Sequence, residues 1–238
     1  MERNLLDLTG KVAIVTGAGK GLGRAVAEGY DDYGASVALV DVDVPGMEEA
    51  VEVIRSKGGD VIPVACDVSR EEQVESAVAL TVKRFGHLDI MANVAGISGR
   101  SPAEEMPVDL WERVLEVNLK GTFLFSVKAG KQMIQQGRGG RIINMASVAG
   151  VVGLSTGNIN YAASKGGVIA MSRCLALEWA RYNILVNTVA PTHFRTPILE
   201  DILAEKPETM DYFLSNIPLG RLTRSSVPSF FWLPTLLP

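Results

Sequence analysis

Short apolar runs alternate with longer stretches whose apolar residues recur at helical spacing, and this alternation continues through most of the chain. Residues 11–16, 36–40, 61–65, 88–92, 141–145 and 185–189 read as six buried strands. Helices are expected from the glycine-rich segment after the first strand to about Tyr33, over 47–57 and 70–85, as one or two helices within 109–136, and over about 160–181. In the 70–85 segment Val74, Ala77, Val78 and Val82 fall along one side, as a surface helix requires. Strands that are apolar throughout must be covered on both faces. The pattern therefore predicts an α/β fold with one parallel sheet between two layers of helices. No linker composition, internal repeat or low-complexity stretch interrupts it, so a single domain over residues 1–222 is expected, followed by an atypical tail over 223–238.

Composition narrows the function classes. The chain has 238 residues, 47% apolar and 21% charged, which is ordinary for a globular protein large enough to bury a full core. A net charge of -4 gives no reason to expect nucleic acid or an anionic membrane as partner, and leaves a small-molecule substrate. Cys66 and Cys174 are too few for a disulfide framework, which favours a reducing compartment. Residues 1–10 lack the apolar core of a signal peptide, and no apolar run is long enough to span a bilayer. A cytoplasmic location is the expectation.

Ligands of such sheets sit at the carboxyl ends of the strands. The chemistry-bearing residues fall there: Gly17, Asp41, Asp67, Asn93, Ser147 and Pro191 follow strands one to six in turn. The first strand runs into Thr16-Gly-Ala-Gly-Lys-Gly-Leu-Gly23, where Gly17, Gly21 and Gly23 permit a tight turn and let the backbone approach a pyrophosphate at a helix N-terminus. Asp41, following the second strand, can hold both hydroxyls of an adenosine ribose and repels a 2′-phosphate. That argues for NAD over NADP. Lys20 in the loop argues the other way, and Asp43 is a rival for the ribose role. No spacing of histidine, cysteine or carboxylate suggests a metal site.

Tyr161 and Lys165 lie four apart on an expected helix and share one face. An ammonium there can favour a phenolate and make the phenol a proton donor and acceptor. Moving a tyrosine from about 10 to about 7 takes about 4 kcal/mol, which one ammonium and a cationic cofactor ring together could supply. Ser147 precedes the pair by one strand–turn–helix connection.

Thr16-Gly-x-x-x-Gly-x-Gly23, Asp67-Val68, Asn93-Val-Ala-Gly96, Asn118, Ser147, Tyr161-x-x-x-Lys165 and the segment 191–196 together resemble the short-chain dehydrogenase/reductase family over about residues 5–222. The resemblance implies a Rossmann-type doubly wound sheet and an oxidoreductase that interconverts a secondary alcohol and a ketone. By that resemblance Tyr161 exchanges the proton with the substrate oxygen, and Lys165 lowers its pKa and bonds the nicotinamide ribose. Ser147 holds the reacting oxygen, and Asn118 anchors a water leading from Lys165 to solvent. Gly17, Lys20, Gly21, Leu22, Gly23 and Asp41 are assigned to the cofactor by motif and resemblance. Asp67 and Val68 would frame the adenine. Asn93, Ala95 and Gly96 would line the cofactor backbone, with Asn93 alternatively tying strands together, while Pro191, Phe194 and Thr196 would meet the nicotinamide end. Thr192 stands where the family usually has glycine, and His193 is expected only to shape the pocket.

Residues 157–161 and 177–183 look like the sugar-acid branch, such as gluconate 5-dehydrogenases, so a sugar acid or polyol is the expected substrate. A 3-oxoacyl thioester reductase shares the same motifs and is the alternative. Substrate choice is expected to lie in 98–106 and 196–217, where Arg100 and Arg195 could meet an anion. The family implies a homodimer or homotetramer.

After Leu222 the resemblance stops. The family normally continues through a helix and a seventh strand, whereas residues 224–238 contain three prolines and no alternation. A frame or splice disruption is one expectation, since codons permitted for 231–238 can spell Leu-Ala-Ser-Asp-Ala-Ala one base out of frame. A missing or replaced terminal strand would leave the sixth as an open edge and weaken assembly. A cofactor-binding but inactive protein is the functional alternative that follows.

Overall fold

The computed structural model describes residues 7–192, 194–195, 199–200, 203–204, 209–215, 217 and 219–224. Six parallel strands form the central sheet: β1 (Val12–Thr16), β2 (Ser36–Asp41), β3 (Val61–Ala65), β4 (Ile90–Asn93), β5 (Gly140–Met145) and β6 (Ile184–Val189). Their spatial order, β3-β2-β1-β4-β5-β6, is the doubly wound Rossmann arrangement, with its reversal between β1 and β4. The connecting helices are α1 (Gly21–Asp32), α2 (Val44–Ser56), α3 (Glu71–Phe85), α4 (Val108–Leu115), α5 (Gly121–Gln136) and α6 (Ile159–Trp179).

Strand side chains alternate between two apolar layers. Ala13 and Val15 of β1 pack with Tyr30 of α1 and with Met47 and Ile54 of α2 on one face. Ile14 packs with Val74 and Val78 of α3 and with Phe125 and Met133 of α5 on the other. Each pleat thus sends successive residues into different cores, which is why the strands read as continuous apolar runs. A short helix α7 (Thr209–Ser215) and a two-residue parallel pair, β7 (Phe194–Arg195) with β8 (Thr223–Arg224), lie beyond the sheet in sequence. Among the described residues β6 ends the sheet on that side. The remainder of the tail, 225–238, lies outside the described residues.

Two local features bear on the site. The 109–136 segment is a helical stretch in which one π turn, Glu116–Lys120, joins α4 to α5 and carries Asn118. A π turn adds a residue to the ladder and rotates one side chain out of the helical register, a distortion that frequently marks functional positions. At the opposite, amino end of the sheet, Asp89 acts as a clasp. Its Oδ2 accepts from the Val12 amide at 3.0 Å, and its carboxylate pairs with His87 at 2.9 Å and Lys11 at 3.8 Å. Its backbone joins Val12 and Arg141, so three strands meet at one residue. Among the described residues no helix is long and apolar enough to cross a membrane.

Candidate active site

One cleft of about 430 Å³ runs across the carboxyl ends of the strands. It reaches from the glycine turn after β1 to Ser147, Tyr161 and Lys165.

At the β1–α1 turn the glycines are sterically required. Gly17 has φ +69°, and a Cβ there would lie 2.8 Å from the Ala95 Cα. A Cβ on Gly23 would collide with the Gly17 carbonyl, so the helix enters against bare backbone. The α1 N-terminus has no side-chain cap, and its cap residue Lys20 is exposed and extended. The first-turn amides are therefore left for an anion in the cleft. These observations fit a dinucleotide pyrophosphate. Thr16 supports the same region by accepting from the Val94 and Ala95 amides at 3.0 and 3.1 Å, which fixes the backbone leading to Gly96.

Asp41 at the end of β2 is held by three backbone amides: Gly19 at 2.8 Å to one oxygen, and Val42 at 2.7 Å and Asp43 at 3.0 Å to the other. Its rival, Asp43, caps α2 by accepting from Gly46 at 3.1 Å. Asp67 accepts from the Ser69 amide and hydroxyl at 2.9 and 2.7 Å. Burial alone would raise the Asp67 carboxyl, but the two Ser69 bonds and nearby Arg113 and Arg70 hold it below the usual carboxylate range. Leu22, Asp67, Val68, Ala95, Gly96, Pro191 and Phe194 all line the cleft, as do Gly17, Lys20, Gly21, Gly23 and Asp41. Thr196 and His193 lie outside the described residues.

The Asn93 side chain turns inward: its amide donates to Asn144 Oδ1 at 2.8 Å and to Ser126 Oγ at 3.1 Å, wholly inside the fold. The side chain of this last β4 residue joins β4 to β5 and α5, which matches the strand-tying alternative. Asn144 in turn donates to Ser172 Oγ at 2.9 Å, carrying the network into α6.

At the other end of the cleft, Ser147 and Tyr161 both line the wall, with the serine hydroxyl near enough to the phenol to ease its burial. Ser147 Oγ also accepts from the Ala149 amide at 3.2 Å, so it caps a short 3₁₀ turn while facing the phenol. Lys165 is 2% exposed, donates to the Met145 carbonyl at 2.8 Å, and lies 5.6 Å from the Tyr161 ring centre. Burial drives its pKa down from 10.5 to about 8. Burial also pushes the Tyr161 phenol up, and the Ser147 hydroxyl offsets this only in part. The expected lowering of Tyr161 by Lys165 is thus not present in the protein alone, because both groups are desolvated together. Asn118, fully buried, bonds the Ile97 backbone through both amide atoms, at 2.8 and 2.9 Å, and reaches Ser164 Oγ at 3.1 Å. A Cβ on Gly96 would lie 3.3 Å from Asn118 Oδ1 and 3.4 Å from Lys165 Nζ, so both groups flank one small gap.

The cleft also gathers Arg113 and Leu154, which sequence reasoning left out. Ser98, Arg100 and Phe213, from the two segments expected to govern substrate choice, line it as well, as does Asn158 from the 157–161 stretch. Arg113 comes from α4 and carries no motif. Asn158, three residues before Tyr161, could have been found from that proximity alone.

A family model for short chain dehydrogenases matches residues 11–207. The chain is 39% identical over 192 residues to an NAD-dependent glycerol dehydrogenase of Listeria innocua, covering 81% of this chain and 74% of that protein. It is 35% identical over 221 residues to the 2-dehydro-3-deoxy-D-gluconate 5-dehydrogenase of Escherichia coli, covering 93% and 86% respectively. A crystal structure of a short-chain type dehydrogenase/reductase from Mycobacterium marinum superposes with a TM-score of 0.91 at 31% identity, covering 98% of this chain and 90% of that one.

Proposed function

The chain belongs to the short-chain dehydrogenase family of oxidoreductases, which act on alcohols and ketones, and on that premise we propose an NAD(H)-dependent enzyme that uses Tyr161 as its proton donor and acceptor on a polyol or sugar acid. The observation that carries the reading is one continuous cleft joining the glycine turn to Ser147, Tyr161 and Lys165. When bound, the nicotinamide supplies or takes up a hydride at the substrate carbon. The protein's own groups handle the proton and the orientation. Tyr161, pushed up by burial, stays protonated at neutral pH and so is set to donate to a carbonyl oxygen. Ser147 holds the same oxygen through its hydroxyl.

Alcohol oxidation must send the proton the other way, through Tyr161 toward Lys165. With a pKa of about 8 the amine can take it up once pH rises through that value. Asn118 and Lys165 flank one small gap beside Gly96, which leaves the amine an opening on its far side for onward proton release. Tyr161→Phe is the test. We expect turnover to fall by about 10³-fold, the usual scale for general acid–base groups, with NADH binding by fluorescence retained. Full activity in the variant would exclude the role.

Preference for NAD rests on Asp41, whose carboxylate is fixed by three amides, whereas Lys20 is merely exposed. Equal or better turnover with NADPH would refute it. The substrate class draws on the names of the glycerol and sugar-acid relatives and on Arg100 in the cleft wall. A panel of polyols, sugar acids and 3-oxoacyl thioesters decides among them, and cofactor binding without turnover of any would favour an inactive protein. A homo-oligomer follows from the family, and the apolar groove of Leu115, Leu119, Phe123 and Met171 is a surface for a second copy. Light scattering that gives a monomer would remove that element.

A further inference from the structure

Asn158 stands at the N-cap of α6, three residues before Tyr161, yet its side chain makes no capping bond. Asparagine at such a position ordinarily accepts from an amide of the first turn. Here Oδ1 instead accepts from Thr156 Oγ1 at 2.8 Å, and the residue, only 7% exposed, lines the cleft. The amide nitrogen makes no hydrogen bond to a described residue and keeps some contact with solvent. A buried carboxamide turned away from its cap and oriented by a neighbouring hydroxyl is a donor held ready for something in the cleft.

The surroundings are rigid enough to make that donor selective. The Ser101 amide bonds the Gly157 carbonyl at 2.8 Å, joining the 97–101 loop to the turn before α6. Gly157 has φ +66°, and a Cβ there would come within 3.0 Å of the Ser101 carbonyl, so the two segments touch through backbone. The Ser155 amide bonds the Tyr212 hydroxyl at 3.3 Å, and the Arg100 guanidinium lies 5.8 Å from the Phe213 ring centre, which brings α7 to the same wall. Three segments are thus stitched around Asn158, close in sequence to the proposed proton donor.

We infer that Asn158 is a specificity-determining residue: its Nδ2 donates to a hydroxyl oxygen on the carbon next to the reacting one, so the enzyme selects vicinal diols and their α-hydroxyketones. This rests on the oxidoreductase reading above. The test compares kcat/KM for propylene glycol and for isopropanol, the same secondary alcohol without the neighbouring hydroxyl, in wild type, Asn158→Leu and Asn158→Asp. The aspartate keeps the shape and the acceptor for Thr156 but removes the donor. A wild-type preference for the diol that shrinks by at least ~10-fold in either soluble variant is the expected result, since a buried donor or acceptor is left unmatched. A preference unchanged in both variants, or a wild type that prefers isopropanol, overturns the assignment while leaving the oxidoreductase reading intact. A wild type that turns over no alcohol or ketone fails that reading itself, and the assignment with it.

Discussion

Replacing Lys165 by methionine removes an amine that the fold holds almost entirely out of water. Its pKa is depressed from 10.5 to about 8, and burial is the cause. A depression of that size corresponds to about 3 kcal/mol of differential stabilisation. The sign follows from proton binding: the unfolded chain holds this proton more tightly than the folded one. Folding is therefore opposed by the whole of that amount below pH about 8, and the opposition fades as pH rises toward 10.5, where the amine is neutral in both states. Lys165→Met abolishes the pH-dependent part and also loses the bond to the Met145 carbonyl, a cost of about 1 kcal/mol. The variant should be about 2 kcal/mol more stable than wild type near pH 7 and about 1 kcal/mol less stable above pH 10.5. Urea unfolding of both proteins at matched concentration across that range reads the difference directly, because every other titrating group cancels. A difference that stays flat with pH would show that the amine keeps its charge in the folded state, and the desolvation argument would fail.

Other expectations are simpler. Gly23→Ala forces a methyl into the Gly17 carbonyl; it should cost about 2 kcal/mol in thermal unfolding and weaken NADH binding measured by calorimetry, and normal values for both would contradict the packing described. Asp41→Ser should narrow the preference for NAD over NADP by at least ~10-fold in kcat/KM, through loss of the repelling carboxylate; an unchanged ratio would move the discrimination elsewhere. Asn144→Leu removes the acceptor shared by the Asn93 amide and the Ser126 hydroxyl, and the donor to Ser172 Oγ, inside the fold; a loss of about 2–4 kcal/mol in chemical denaturation is expected, and a neutral effect would mean the network repacks without penalty.

The sheet was legible because its strands are apolar throughout, and the glycine turn because Gly17 and Gly23 stand where any side chain would collide. Other features depend on contacts that spacing does not encode. Asp41 and Asp43 are equivalent candidates by position, and only the cap bond to Gly46 separates them. Asn93 belongs to a motif whose neighbours face the cleft, but its own side chain turns toward Asn144. The π turn at Glu116–Lys120 interrupts a helical period that otherwise runs through. The direction of the Tyr161 shift is set by the balance of burial against one hydroxyl, which no linear pattern contains. Asn158 falls in the 157–161 stretch, but its individual importance appears only once its missing cap bond is seen.

The Asp89 clasp binds β1, β4 and β5 at the floor of the sheet. A strand of five residues spans roughly 17 Å, so this fastening lies a full strand length from the groups that carry turnover. Changes that tighten the floor can therefore raise thermal tolerance while leaving the rim as it is, whereas the rim itself carries a burial cost at Lys165.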